Sequence, residues 1–515
     1  MPKPVVLKVV VTNRTAARAK YGAAGWRRIR QAITALVEAD AARGITTRFM
    51  ALDSAAHAGK VGATAVAGAN DVAHTKHFVD QIFTTWDPAY LMLVGGPDLV
   101  GLVNLNNPLW TGDPNDDPDP FVPSDLPYAC ANPLSFAASD YRGPTRAVGR
   151  MPDLTGDDDP HALLVQLHHA ASGMSMVRLS PEPVFAVSAK VWEISTLKSM
   201  AALPDVSGVV NTSPPEGPAW TKTQLAPQLH FVNCHGGEFD PDWYGQVKPN
   251  NWTLPTAIAA KNLPGMVAPG LVVATECCYG AAHWPPSAAN GQAGVAMTYL
   301  MNGASGVFGA TTVAYGPATA NNYADVLCRM FGEEVLGGAS LGRAALVARQ
   351  RFIQSQPFLD PTDVKTLAQF NLLGDPSVVT FISPTTGSRS GPRSAVRRRT
   401  GVAPPNASSS TLARRLTMNA IGAALDQTTL SCTPNARPRA EITHSSLAAL
   451  IGREVPPATT IRTFGADRAG GSVAASTAPR AHVAFLPAIG RQAPTLVVVR
   501  EQPAGDPEVR VVVRR

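Results

Sequence analysis

Two short stretches of the chain end in side chains able to do nucleophilic chemistry. Leu271-Val-Val-Ala-Thr-Glu-Cys-Cys-Tyr-Gly280 closes on the thiols of Cys277 and Cys278. Leu229-His-Phe-Val-Asn-Cys-His-Gly-Gly237 closes on the imidazole of His235. Each opens as an apolar, partly β-branched run and breaks at glycine, which predicts a short buried strand. In open α/β sheets, ligands and reactive side chains gather where the strands end. Two strand ends, one with Cys and one with His, provide what thiolate attack needs: the sulfur attacks, and the imidazole sets its charge and protonates the leaving group. Either Cys277 or Cys278 could be the nucleophile. Cys234 reads as a small packing residue, and His283 reads as a loop histidine.

The elements that must position these ends alternate along the chain. Val5–Val11, Thr47–Leu52 and Tyr90–Val94 read as strands, with helices over Ala23–Arg43 and Asn70–Phe83 between them. That alternation predicts a parallel sheet with right-handed crossovers. Residues 104–127 read as loop. Arg146–Pro152 is a short strand with a turn, and Asp157-Asp158-Asp159-Pro160 opens a helix through His169. Val184–Ser188 is a strand, and 201–228 reads as a helix followed by a proline-rich loop. After the two key strands come a helix over Gln292–Met301, a strand over Gly306–Thr312, helices over Ala320–Leu336 and Leu341–Gln354, and a last strand at Val378-Val379. Beyond a linker, Leu412–Leu425 reads as a helix, and His482–Phe485, Leu496–Val499 and Val509–Val513 as strands, the last two forming a hairpin.

Bulk properties narrow the class. With 515 residues, 45% hydrophobic and 16% charged, the chain has ample material for a large core in several domains. Its longest apolar runs fall short of the roughly 18 residues that a spanning helix needs. The opening Met-Pro-Lys-Pro-Val-Val-Leu is too short and strand-like for a secretory signal, so a cytoplasmic location is expected. Six cysteines make no secreted disulfide pattern and no CxxC pair. From residue 385 onward 18 arginines face 7 acids, a balance of +11, so the total of +6 leaves −5 on the first 384 residues. The arginine-rich segment 384–410, with Arg397-Arg398-Arg399, reads as a solvated linker. Contact with nucleic acid or an anionic surface is its sharper reading.

His235-Gly236 followed by Glu276-Cys-Cys-Tyr-Gly280 resembles the caspase-like cysteine peptidases. Tyr90-Leu-Met-Leu-Val-Gly95, the segment from Asp140 to Gly149-Arg150, Gly309-Ala-Thr-Thr312 and Asn371-Leu-Leu-Gly-Asp-Pro-Ser377 resemble gingipains specifically, in order over about residues 5–382. The resemblance implies an α/β, caspase-hemoglobinase-like fold: a mainly parallel sheet flanked by helices. The small C-terminal region is α+β or β-rich. It implies a peptidase domain over 1–383, with subdomains of about 1–150 and 151–383, then the linker 384–410 and a C-terminal domain over 411–515. It also implies peptide-bond hydrolysis through an acyl-enzyme, with Cys278 as nucleophile and His235 as acid/base. The N–H groups of Gly236 and Cys278 would form the oxyanion hole. Asp157 or Asp158 would read a basic Arg or Lys side chain at P1, and Tyr315 and Trp284 would wall its pocket. The carboxylate that orients the histidine in gingipains has no counterpart just before Gly149; Glu238 and Asp240 are the substitutes.

Substrates would be proteins or peptides, with a regulatory partner reached through the C-terminal domain. No cofactor and no metal site are expected, although the acidic loop Asp113–Asp119 could offer oxygens to calcium. Arg397–Arg399 would be a site of self-cleavage for an enzyme that cuts after arginine. Two other functions compete: a catalytically inactive interaction protein on the same scaffold, and an acyl-transfer enzyme that hands the thioester to an amine.

Overall fold

The computed structural model describes residues 6–172 and 184–381, less 205, 207, 208, 250, 252 and 357, together with 442–451, 455–456, 459–465, 480–486, 495–501 and 507–514. The arginine-rich linker and the expected Leu412–Leu425 helix lie outside the described residues.

Ten strands build the central sheet. In chain order they are β1 (Val6–Thr12), β2 (Ile45–Ala51), β3 (Tyr90–Val94), β4 (Val148–Met151), β5 (Val184–Ala189), β6 (Asn211–Ser213), β7 (Leu229–Asn233), β8 (Val272–Thr275), β9 (Gly306–Ala310) and β10 (Phe370–Gly374). Their order across the sheet is β2-β1-β3-β4-β10-β9-β8-β7-β5-β6. β1 to β4 are mutually parallel, as are β5 to β9. β10 joins the two halves, parallel to β4 and antiparallel to β9. Helices flank this mostly parallel sheet, as the caspase-like resemblance implies.

Strand patterning explains the double cover. Along β8 and the residues around it, Val272 and Ala274 pack into one apolar cluster, while Leu271 and Val273 pack into another. A strand buried on both faces reads as a continuous apolar run, as both key stretches do. At the join of the halves, the Lys8 ammonium pairs with Asp375 at 2.5 Å and with Asp40 at 2.9 Å, all fully buried. Asp375-Pro376 is thus a structural turn that ties β10 to β1.

Several elements differ from the sequence expectation. The first helix spans Arg14–Ala42 across a kink at Gly22, whose φ of 67° only glycine adopts without strain. Its start is set by Asn13, whose side chain caps Ala16 N at 2.9 Å. The described residues of 201–228 hold no long helix; the helix lies earlier, over Glu193–Ala201, and the edge strand β6 follows. The Pro214, Pro215 and Pro218 run deprives the backbone of helix donors there. The last strand is Phe370–Gly374, where pairing with β9 is available, and Val378-Val379 is not a strand. Within the expected loop 104–127, Val103–Asn106 pairs with Phe121–Ser124.

A second, antiparallel sheet is made by the C-terminal strands β11 (Ile461–Gly465), β12 (Arg480–Leu486), β13 (Thr495–Arg500) and β14 (Glu508–Arg514), with Tyr315–Gly316 at its edge. β13 and β14 form the expected hairpin. One face of this sheet, with Val483, Phe485, Leu496, Val498 and Val512, packs into the same apolar cluster as Tyr315, Tyr323 and Phe358. Arg500, fully buried, reaches Asp360 at 2.6 Å and also Asp363. The C-terminal region is thus docked on the peptidase-like part, not hung from it.

Candidate active site

β7 and β8 lie side by side and parallel, with Thr275 opposite Val232. The chain leaves β8 through Glu276, whose N–H donates to Val232 O at 2.8 Å, and reaches Cys277 and Cys278. It leaves β7 through Cys234 into His235. His235 and Cys278 therefore follow the C-terminal ends of neighbouring strands. A Cβ built on Gly236 would collide with the Cys278 carbonyl oxygen, so the two turns pack backbone against backbone. Only glycine permits that approach.

The two thiols part company here. Cys277 packs on one side of the sheet with Cys234, Trp243 and Tyr299 and has no exposure. Burial pushes the Cys277 thiol well above its ordinary range, with Cys234 adding to the effect; burial likewise pushes Cys234 up to about 12. These are inert packing thiols. Cys278 belongs to the other cluster and retains 3% exposure. Its sulfur receives the Ala314 N–H at 3.3 Å, a donor that would remain in place for a thiolate. Tyr279, directly after it, has φ 53°, a left-handed conformation rare outside glycine, and such outliers collect at functional sites. The turn is held there by Tyr279 N donating to Thr312 O at 3.1 Å and Tyr279 Oη donating to Asp119 Oδ1 at 2.9 Å.

His235 is 9% exposed and begins the two-residue strand His235–Gly236, which pairs with Trp243–Tyr244. Its ring lies 4.4 Å, centroid to centroid, from Trp192, tilted by 54°. Its Nε2 lies 2.9 Å from Gln246 Oε1. Gln246 is itself clamped. Its side-chain Nε2 donates to Asn251 O at 3.1 Å, its backbone N–H donates to Ser213 O at 3.1 Å, and its carbonyl accepts from Val191 N at 3.0 Å. Since the Gln246 amide nitrogen is committed to Asn251, its oxygen faces the ring and accepts. That makes Nε2 the protonated nitrogen of the neutral imidazole.

The other candidate residues fall in different places. Asp240 accepts from Tyr244 Oη at 2.7 Å and lines a groove with Tyr279, Gly280, His283 and Trp284. Glu238 is exposed; what burial it has and the nearby Asp119 raise its carboxyl. Asp157 accepts from Asp159 N at 3.0 Å and, with Asp158, lines an open groove beside Lys20 and Asp98. Tyr315 is 2% exposed; its hydroxyl donates to Asp117 at 3.0 Å, and its backbone pairs with β14. In the acidic loop Asp113–Asp119, Asp117 pairs with buried Lys365 at 2.6 Å. Burial pushes Asp117 up, but Lys365 outweighs it and holds the carboxyl below its usual range. Asp119 is raised by burial.

Sequence reasoning missed Gln246 and Trp192, and the bond of Asp119 to the Tyr279 turn. Gln246 lies eleven residues after His235 in a loop with no motif around it. The paired runs His235-Gly236 and Trp243-Tyr244, which fold the chain back, are the one local hint.

A mostly parallel sheet flanked by helices, with a thiol and an imidazole beyond adjacent strand ends, is consistent with a caspase-like fold. Residues 221–381, the segment that carries both motifs, match Peptidase family C25, and that match supports a hydrolase, a cysteine peptidase. Among solved structures, one described as a protease aligns over 99% of this chain and 97% of its own, at 12% identity and a TM-score of 0.47. A chain of the Saccharomyces cerevisiae separase–securin complex aligns over 47% of this chain and 14% of its own, at 13% identity and a TM-score of 0.28. No protein of curated function matches the sequence. Among the described residues no helix is long and apolar enough to cross a membrane.

Proposed function

We propose that this cysteine peptidase is an endopeptidase acting through Cys278 and His235 and cleaving after basic residues. The observation that carries the pairing is the packing of Gly236 against the Cys278 carbonyl, which joins the two strand-end turns. In the first half-reaction Cys278 Sγ bonds to the scissile carbonyl carbon, and the thiol proton passes to His235 Nδ1. The C–N bond then breaks, and the leaving amine takes that proton. In the second, water deprotonated by the same nitrogen adds to the thioester carbonyl, the C–S bond breaks and the thiol is restored. Gly236 N–H and Cys278 N–H are assigned to the developing oxyanion; a donor of this kind contributes about 3 kcal/mol to the transition state.

The preference for a basic P1 side chain rests on an excess of carboxylates near the Tyr279 turn. Asp119 bonds that turn and shares the ammonium of Lys365 with Asp117, at 3.5 Å and 2.6 Å, and Glu238 is raised partly by Asp119. A substrate guanidinium or ammonium would relieve this crowding. The test uses fluorogenic peptides with Arg, Lys, Leu or Asp at P1, with wild type, Cys277→Ala and Cys278→Ala. Turnover of the Arg and Lys peptides by wild type and Cys277→Ala, and none by Cys278→Ala, is expected. Equal turnover by Cys278→Ala would reject the nucleophile, and indifference to P1 would reject the specificity.

A further inference from the structure

Beside Cys278 lies a strand from the far end of the chain. β14 pairs antiparallel with Tyr315–Gly316, with Arg514 opposite Tyr315 and Val513 opposite Gly316. The residue before Tyr315 is Ala314, whose N–H points at the Cys278 sulfur at 3.3 Å. In this register β14 advances toward the sulfur as it nears Arg514. An extended peptide added to a strand edge gains affinity from backbone hydrogen bonds and specificity from alternate side chains. The Tyr315–Gly316 edge is of that kind, and it lies next to the nucleophile.

The seating of β14 is lopsided. It shares six residue pairs with β13 but only two with Tyr315–Gly316. Its base is secured: Val512 is fully buried, and Arg510 sits over the Tyr323 ring at 5.4 Å. Only two residue pairs hold its far end at the edge, and Val513 is also opposite Thr495 of β13. Its sequence, Val511-Val-Val-Arg514, brings a basic residue to the sulfur side of the pairing, the chemistry proposed above for substrate.

We propose that β14 is an internal competitor for the peptide-binding edge at Tyr315–Gly316, and that an extended substrate ending in a basic residue displaces its last residues to reach Cys278. The proposal rests on the assignment of Cys278 as nucleophile. An edge occupied nine-tenths of the time weakens apparent substrate affinity about tenfold.

The experiment compares the full chain with a chain ending at Val512, and with the full-length Val513→Pro variant in case the shortened chain misfolds. Turnover of an Arg-terminated fluorogenic peptide and alkylation of Cys278 are measured, the latter with an arginyl chloromethyl ketone peptide and with iodoacetamide. Unfolding midpoints confirm that the folds are intact. A rise of about tenfold in kcat/KM and in peptidyl alkylation is expected in the variants, mainly through KM. A synthetic peptide of residues 508–515 should inhibit the shortened chain. Folded variants with unchanged or reduced turnover, but with Cys278 still alkylated, would overturn the competitor role and leave the nucleophile standing. Failure of iodoacetamide to modify Cys278 in any form would overturn both.

Discussion

His235 Nε2 stands 2.9 Å from Gln246 Oε1, and the Gln246 amide nitrogen is held by Asn251 O at 3.1 Å. A neutral amide thus fixes the tautomer of the imidazole, where the sequence pointed to the carboxylates Glu238 and Asp240. Replacement by an isosteric apolar side chain should free the ring. Gln246→Leu is expected to lower kcat by about tenfold, the loss of one such hydrogen bond, with little change in KM. Gln246→Glu keeps an acceptor and adds charge that favours the imidazolium. It should restore activity and shift the histidine limb of the kcat/KM profile to higher pH. A packing role alone would leave that limb in place.

Gly236→Ala tests the contact between the two turns. The added methyl meets the Cys278 carbonyl oxygen, backbone that cannot swing aside. Overpacking of this kind costs about 1–3 kcal/mol, so the unfolding midpoint should fall modestly. Activity should fall further, because the shift separates His235 from Cys278. Stability and kcat/KM measured on one preparation distinguish this from simple unfolding, which would lower both together.

The sheet was legible because its inner strands are buried on both faces and read as apolar runs between glycine and proline breaks. The two chemical residues were legible because each sits just past such a run. Gln246 was not, since its role depends on a loop clamped between Ser213 and Val191, far apart in sequence. Three of the four C-terminal strands were visible as apolar runs, but β11 and the docking of the sheet were not. The ion pairs of Arg500 with Asp360 and Asp363 span about 140 residues and leave no periodic trace. The expected strand at Val378-Val379 failed for a related reason: pairing with β9 selects Phe370–Gly374, and tertiary partners outweigh local propensity.

Acid should unfold the protein partly through His230. This ring is fully buried on β7, with Nδ1 3.0 Å from Tyr299 Oη, and burial lowers its pKa to about 4. The unfolded chain binds a proton near pH 6.5, so between roughly 6.5 and 4 it holds more protons than the folded one. The contribution is present above that window and is lost as pH falls through it. By pH 5 the loss relative to pH 7 is about 2 kcal/mol. Chemical denaturation at both pH values should show this difference in wild type and a smaller one in His230→Gln. Equal slopes would show that another group carries the effect.

The same reasoning runs in the opposite direction at the C-terminal anchor. Burial, with Asp360 adding to it, raises Asp363 to about 7, and Arg500 opposes them. Arg500→Met would leave two buried carboxyls without their guanidinium, a loss of about 3–5 kcal/mol. Asp363 would then hold its proton to still higher pH. A carboxyl raised in the folded state favours folding at low pH and loses that advantage as pH climbs through its folded value. The variant should therefore be weaker at pH 8 than at pH 6, and Asp363→Asn added to it should recover part of the loss. Thermal unfolding and limited proteolysis of residues 442–514 at the two pH values provide the check. If Arg500 only decorated the interface, the single variant would keep wild-type resistance to protease at both.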